Sequence, residues 1–185
     1  HRYLDVPTQL SPTQAFARLR SWFGDASRPK ICADSKRVLM VLASAGVEMA
    51  GVVFDAMLAS YLIDPEAHGH RLDEIARFEL GETAELQDKQ LLDIRLPAGV
   101  ISGMPLHVAG ARAVKLATCI LRAHDVLAPR LVAVGCANLL RDMELPLARV
   151  LADIESTGIR VDTQHLAKLS VMVSERLVAL EARCK

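Results

Sequence analysis

Aromatic residues are scarce: Phe, Trp and Tyr make up 4% of the 185-residue chain, with a single Trp. Any core must therefore be built from Leu, Val, Ile and Ala, which favours helices. Net charge is also lacking, because 22 Lys and Arg balance 22 Asp and Glu. Splitting the chain does not change this, since six basic and six acidic residues fall between Met143 and the end. No overall field advertises a polyanionic partner, so nucleic-acid contact must use local patches. Cysteine is limited to Cys32, Cys119, Cys136 and Cys184. No two are spaced as a zinc knuckle or a C-x-x-C redox pair, and reduced, mostly buried thiols in a cytosolic protein are expected. No apolar run approaches the roughly 20 residues that span a bilayer, so no membrane partner is expected. No signal peptide opens the chain. It begins at His1 and stops at Lys185 inside a helical pattern, so a piece cut at both ends is expected. There is no G-x-S-x-G elbow and no phosphate-cradling glycine loop.

What is present is 51% apolar, enough for a real core. Ser11-Pro12-Thr13-Gln14 predicts a helix start with a capping box. Ala15, Phe16, Leu19 and Trp22 then recur at helical spacing. Pro29 to Ala33 predicts a strand. Asp34 predicts the cap of a helix whose apolar face is Val38, Leu39, Val41 and Leu42, ended by Gly46. Gly51 to Phe54 predicts a second strand beside the first. Asp55 opens a helix carrying Met57, Leu58, Tyr61 and Leu62, which Asp64-Pro65 stops. A short amphipathic helix is expected over 71–80, and a loop with at most one short helix over 81–105. A long helix follows from His107 to Leu127. Pro129 is expected to start another, and Pro146 to bend it or open a new one that continues to Thr157. Ile159 to Asp162 alternates like a small strand. Asp162 caps a last helix, in which Leu166, Leu169, Val173, Leu177 and Leu180 form an apolar stripe. Val150, Leu151 and Ile154 are expected to face inward. The shift from strand-helix-strand-helix to all-helix places a domain boundary near residue 140, giving domains 1–140 and 141–185.

Two segments carry a resemblance. In Ile31 to Leu72, Phe54-Asp55-Ala56-Met57-Leu58 and Tyr61-Leu62 resemble the strand-helix junction of the 3′→5′ exonuclease domain of bacterial DNA polymerase I. The Leu72-Asp73 pair resembles the start of that domain's next helix. In Met143 to Glu181, the residues Glu144, Pro146, Leu147, Val150, Leu151, Ile154, Glu155, Gly158, Ile159, Val161 and Asp162 fit a run of the same family. That run, E-x-P-L-x-x-V-L-x-x-I/M-E-x-x-G-I-x-V-D, lies where the polymerase domain begins. Order and spacing both match.

The resemblance implies an α/β, ribonuclease H-like exonuclease fold, truncated before its first strands, followed by an α-helical thumb-base segment. It implies a parent that copies DNA in replication and repair, a DNA-directed DNA polymerase of the cytoplasm and nucleoid. Its partners would be DNA and the rest of the polymerase domain. Mg²⁺ is expected for that parent, and no cofactor for this fragment.

Exonucleases of the family hold two divalent metals on four carboxylates, because hard cations need anionic oxygen ligands. An Asp-x-Glu pair would lie before His1. Aligned on Lys36 and Gly46, the second motif's Asn falls at Asp34 and its Asp at Val38. The third motif's Tyr falls at His107 and its Asp at Ala111. Val and Ala cannot ligate a cation, so the domain is expected to be structural and inactive as a nuclease. Substitute ligands at Asp34, Asp55 or His107 compete with simple helix capping, and His68 and His70 with a loop or strand-face role. Arg160, Lys168, Arg176, Arg183 and Lys185 are candidate DNA contacts that compete with a solvated helix face. Two other functions stay open: an active proofreading exonuclease with displaced ligands, and a freestanding module that binds protein or single-stranded nucleic acid.

Overall fold

The computed structural model describes residues 10–67, 69–81 and 105–184. Residues 82–104 of the loop expected over 81–105, His68 and Lys185 lie outside the described residues. Two compact units are present, His1–Asp153 and Ile154–Lys185.

In the first unit, α1 spans Pro12–Gly24. The Ser11 hydroxyl accepts from Gln14 N at 3.2 Å, and the Gln14 side chain accepts from Ser11 N at 2.9 Å, so the capping box is formed. A tight turn built on the Asp25 carboxylate leads into β1, Lys30–Cys32. Helix α2 (Ser35–Ser44) follows, capped by Asp34, whose Oδ1 accepts from Arg37 N at 3.1 Å. Gly46 follows the helix end as expected. Strand β2 (Val52–Asp55) pairs parallel with β1, Ile31 opposite Phe54 and Cys32 opposite Asp55. Between them, Gly51 brings its backbone against the Asp25–Arg28 turn. A Cβ at position 51 would stand 2.8 Å from Arg28 O, and its φ is +74°, so only glycine fits there without strain.

Helix α3 (Ala56–Ile63) starts directly from β2, and α4 spans Leu72–Phe78. Helix α5 runs from Leu106 to Ala133 without a break at Pro129, which corrects the expected new helix start. An internal proline costs about 3 kcal/mol. Here Leu127 and Leu131, on either side of it, are both buried in the main core, and that anchoring holds the axis through the missing hydrogen bond. That core joins Phe54 of β2, Ala56 and Ala59 of α3, Ile75 of α4, and Ala123, Leu127 and Leu131 of α5. Two smaller clusters surround Cys119 with Ala33, Leu72 and Ala76, and Cys32 with Leu42, Val47 and Met49.

A short helix, α6 (Ala137–Leu139), passes into a π-helical turn at Leu140–Glu144 and then into α7, Leu145–Thr157. The wide turn has a cause in the sequence. The ring of Pro146 would press on the carbonyl of Asp142 in a regular helix. A π turn relaxes that contact, and Leu145 N bonds Leu140 O instead. The faces of α7 differ from the expectation. Val150, Leu151 and Ile154 are 53%, 39% and 56% exposed, whereas Ala148 and Ala152 are 6% and 3% exposed. The small residues face the core because they allow close approach, and Arg149 secures that side by donating to Met49 O at 2.8 Å and to Glu48 at 2.9 Å.

In the second unit, Gly158 follows the last turn of α7 with φ +74°. The expected strand at Ile159 to Asp162 does not form. No strand among the described residues completes a ladder with it, and Ile159 is 88% exposed. Asp162 caps α8 (Thr163–Cys184) through His165 N at 2.9 Å. The stripe Leu166, Leu169, Val173, Leu177 and Leu180 is exposed along its length.

Candidate functional site

Positions aligned with the metal-binding motifs sit on two elements. Asp34 and Val38 belong to the β1–α2 junction, and His107 and Ala111 to the first turns of α5. Asp34 is occupied as a helix cap. Val38 is half-buried against the Cys32–Leu42–Val47–Met49 cluster. It lines an apolar cavity of about 350 Å³ with Trp22, Ile31 and Ile120. His107 and Ala111 are both exposed.

Asp55 is the most buried carboxylate near these positions, at 1% exposure. Its Oδ2 accepts from Ser35 N at 2.6 Å, and its Oδ1 from Met57 N at 3.0 Å and Leu58 N at 3.2 Å. One carboxylate thus ties the first turn of α2 to the N-terminus of α3, where the helix dipoles favour a negative group. Burial pushes its pKa above the ordinary carboxylate value, against the hydrogen bonds from Ser35 and Leu58 that pull it down. Both oxygens are engaged by backbone donors, so Asp55 is a latch rather than an open ligand.

Val38 and Ala111, which the resemblance aligns with two metal-binding carboxylates, carry only hydrocarbon side chains and cannot ligate a hard cation. Among the described residues no group of three His, Cys, Asp or Glu side chains is gathered closely enough to hold a metal ion. His70 is engaged elsewhere: its Nδ1 meets Ser60 Oγ at 3.0 Å, and its ring stands edge-on to Tyr61.

The candidate DNA contacts lie in the second unit. Arg160 precedes α8, and Lys168 and Arg176 lie on it, all exposed. At 100° per residue, Lys168, Arg176 and Arg183 share an arc of roughly 80°, with Glu175 at its edge. That basic arc borders the apolar stripe.

Several positions were not foreseen from the sequence. Lys30 is 5% exposed, its ammonium donating to Asp25 O and Arg28 O and lying 5.1 Å from the centre of the Trp22 ring. Arg130 pairs with Glu79, joining α5 to α4. Arg149 reaches Met49, a hundred residues away in sequence. The common signal is a charged residue inside or beside an apolar pattern, but sequence alone does not name the partner.

The ribonuclease H-like class follows from a family model described as the ribonuclease H-like domain of DNA polymerase I, which matches residues 3–90. Two curated relatives extend the likeness beyond that stretch. The DNA polymerase I of Pseudomonas aeruginosa is 34% identical over 98% of this chain and 20% of its own length. That of Geobacillus stearothermophilus is 32% identical over 94% of this chain and 20% of its own length. A solved structure, the POL domain of Pol1 from M. smegmatis in complex with DNA primer-template and dNTP, superposes with a TM-score of 0.65 at 29% identity. That superposition covers 90% of this chain and 25% of the solved one. Over most of its length the chain is thus similar to DNA polymerase I, and residues 3–90 match that family's ribonuclease H-like domain. It spans about a fifth of the length of these curated relatives. No helix among the described residues is long and apolar enough to cross a membrane.

Proposed function

We propose that the chain is a non-catalytic module of a DNA-directed DNA polymerase that acts in replication and repair. Residues 1–140 form its exonuclease-like domain, and 141–185 form the base of its thumb. The nuclease function is lost. The observation that carries this reading is Val38, an apolar residue packed into a cluster of apolar side chains where the family motif requires a metal-binding carboxylate. Ala111 supports it from the other side of the alignment. The role left to the first domain is mechanical, a packed body that bears the start of the polymerase domain through Ala148, Arg149 and Ala152.

The parent would use Mg²⁺ for nucleotidyl transfer on carboxylates outside this chain, and DNA would be its partner. Arg160, Lys168 and Arg176 would meet phosphates of the duplex. The test is incubation of the chain with labelled single-stranded DNA and Mg²⁺ or Mn²⁺. No degradation is expected. Metal-dependent degradation that disappears on Asp34→Ala or Asp55→Ala in a folded variant would overturn the reading in favour of an exonuclease with displaced ligands.

A further inference from the structure

We propose that the apolar cavity beside β1 is a binding site for a small apolar carboxylic acid, seated with its carboxylate on Lys30. The inference goes beyond the function proposed above and does not depend on it. The cavity measures about 350 Å³, within the roughly 300–1,000 Å³ of small-molecule sites. Its wall is mostly apolar, with Trp22, Phe23, Val38, Leu42 and Ile120 among its side chains. Three charged residues interrupt it, Lys30, Asp34 and Arg37, which leaves the wall with one net positive charge.

Lys30 decides the chemistry. It is 5% exposed, and a charge taken out of water is ordinarily held by a partner of opposite sign. Here the ammonium donates to Asp25 O at 2.8 Å and to Arg28 O at 3.0 Å. Both acceptors are neutral carbonyls. The Trp22 ring, centred 5.1 Å from the ammonium, offers its face but no charge. Among the described residues Lys30 enters no ion pair. Asp34, in the same wall, caps α2 instead. An ammonium has three N–H donors, so one is left over beside a space lined mostly by hydrocarbon.

That combination selects the ligand. One remaining N–H and one net positive charge suit a single carboxylate. A phosphate would bring further oxygens that the apolar wall leaves unsatisfied. A cation would be repelled by Lys30 and Arg37. An alcohol of the same shape would fill the space and leave the ammonium without a counter-ion. The body of the ligand must be apolar, because a polar one would lose its water against Val38, Leu42 and Ile120 with no hydrogen bond in return.

Trp22 is the single tryptophan and stands in the cavity wall, so its fluorescence reports occupancy. Octanoate, octanol and octylammonium are titrated into this chain. A saturable change in emission with octanoate is expected, at an affinity at least tenfold above that of octanol, and no change with octylammonium. Lys30→Met should bring octanoate down to the level of octanol. Val38→Phe fills the space, leaves Lys30 in place, and should weaken both ligands, with circular dichroism confirming the fold of each variant. Equal affinity for octanoate and octanol in the unaltered chain would overturn the proposal and leave a plain apolar cavity. So would a lack of saturation with octanoate, or octanoate binding unchanged by either substitution in a folded variant. The comparison of acid with alcohol and the Val38→Phe result decide the matter even where Lys30→Met does not fold.

Discussion

Replacing Asp55 with Ala removes the acceptor of three backbone N–H groups. Met57 N has a second acceptor, Ala33 O at 3.3 Å, so the orphaned donors are Ser35 N and Leu58 N. Each buried unsatisfied donor costs about 1–3 kcal/mol. The carboxylate's own desolvation, visible in its raised pKa, offsets part of that loss, which leaves a destabilisation of about 3 kcal/mol. Asp55→Asn keeps the Oδ1 cap but sets an amide N–H₂ against Ser35 N, and a cost of about 1–2 kcal/mol is expected. The pH dependence separates this account from a generic cavity. A carboxyl with a raised folded-state pKa binds its proton more tightly when folded. Its contribution to stability is therefore largest below the unfolded value of 3.8. It declines as pH rises through the window up to the folded-state pKa and is constant above. Asn has no such dependence, so the gap between wild type and Asp55→Asn should narrow as pH rises through that window. Urea unfolding followed by circular dichroism at acid and neutral pH measures it. A loss below about 1 kcal/mol for Asp55→Ala, the low end for one orphaned donor, or a gap that widens with pH, would refute the latch.

Among Cys32, Cys119 and Cys136, the half-buried Cys136 should react first with a maleimide. Burial pushes the Cys32 thiol up to about 12 and raises Cys119 as well, and mass-mapped labelling kinetics would show the order. Changing Arg160, Lys168 and Arg176 together to Ala in a primer-template-binding form of the parent should weaken binding. It should also flatten the slope of log K against log salt by roughly 0.9 for each phosphate no longer neutralised; an unchanged slope would remove these residues from the interface. The exposed stripe of α8 should make the chain self-associate, and Leu169→Glu with Leu177→Glu should abolish this in sedimentation. A monomer both before and after substitution would contradict it.

Much of the first unit was legible because its signals are local. Ser11 with Gln14, Asp34 and Asp55 each cap the helix that follows, as Asp162 does in the second unit, and a cap needs only the next three residues. The two strands were readable from short apolar runs between turn residues, and their adjacency in one sheet from the strand-helix-strand-helix order. The failures have one physical origin, since each required knowledge of distant partners. Pro129 reads as a helix start until Leu127 and Leu131 are seen in the core. Ile159 to Asp162 reads as a strand until no neighbour is found to pair with it. Val150, Leu151 and Ile154 read as a buried face because hydrophobic periodicity shows that an apolar face exists, not that it is the face turned to the core. At the candidate site, the helix-capping role of Asp34 was readable from its place before α2. The double engagement of Asp55 was not, because Ser35 lies twenty residues away.

The π turn at Leu140–Glu144 holds one more residue than an α-helical turn in the same span, and so sets the phase of everything after it. Removing one residue from the turn would rotate α7 by about 100°. Arg149 and Asp153 would then occupy the inward slots of Ala148 and Ala152, putting two charges into an apolar contact. Adding one residue would bring in Leu147 and Leu151 instead, overfilling space shaped for methyl groups. The segment is thus intolerant of length changes in both directions but for different reasons, electrostatic in one and steric in the other.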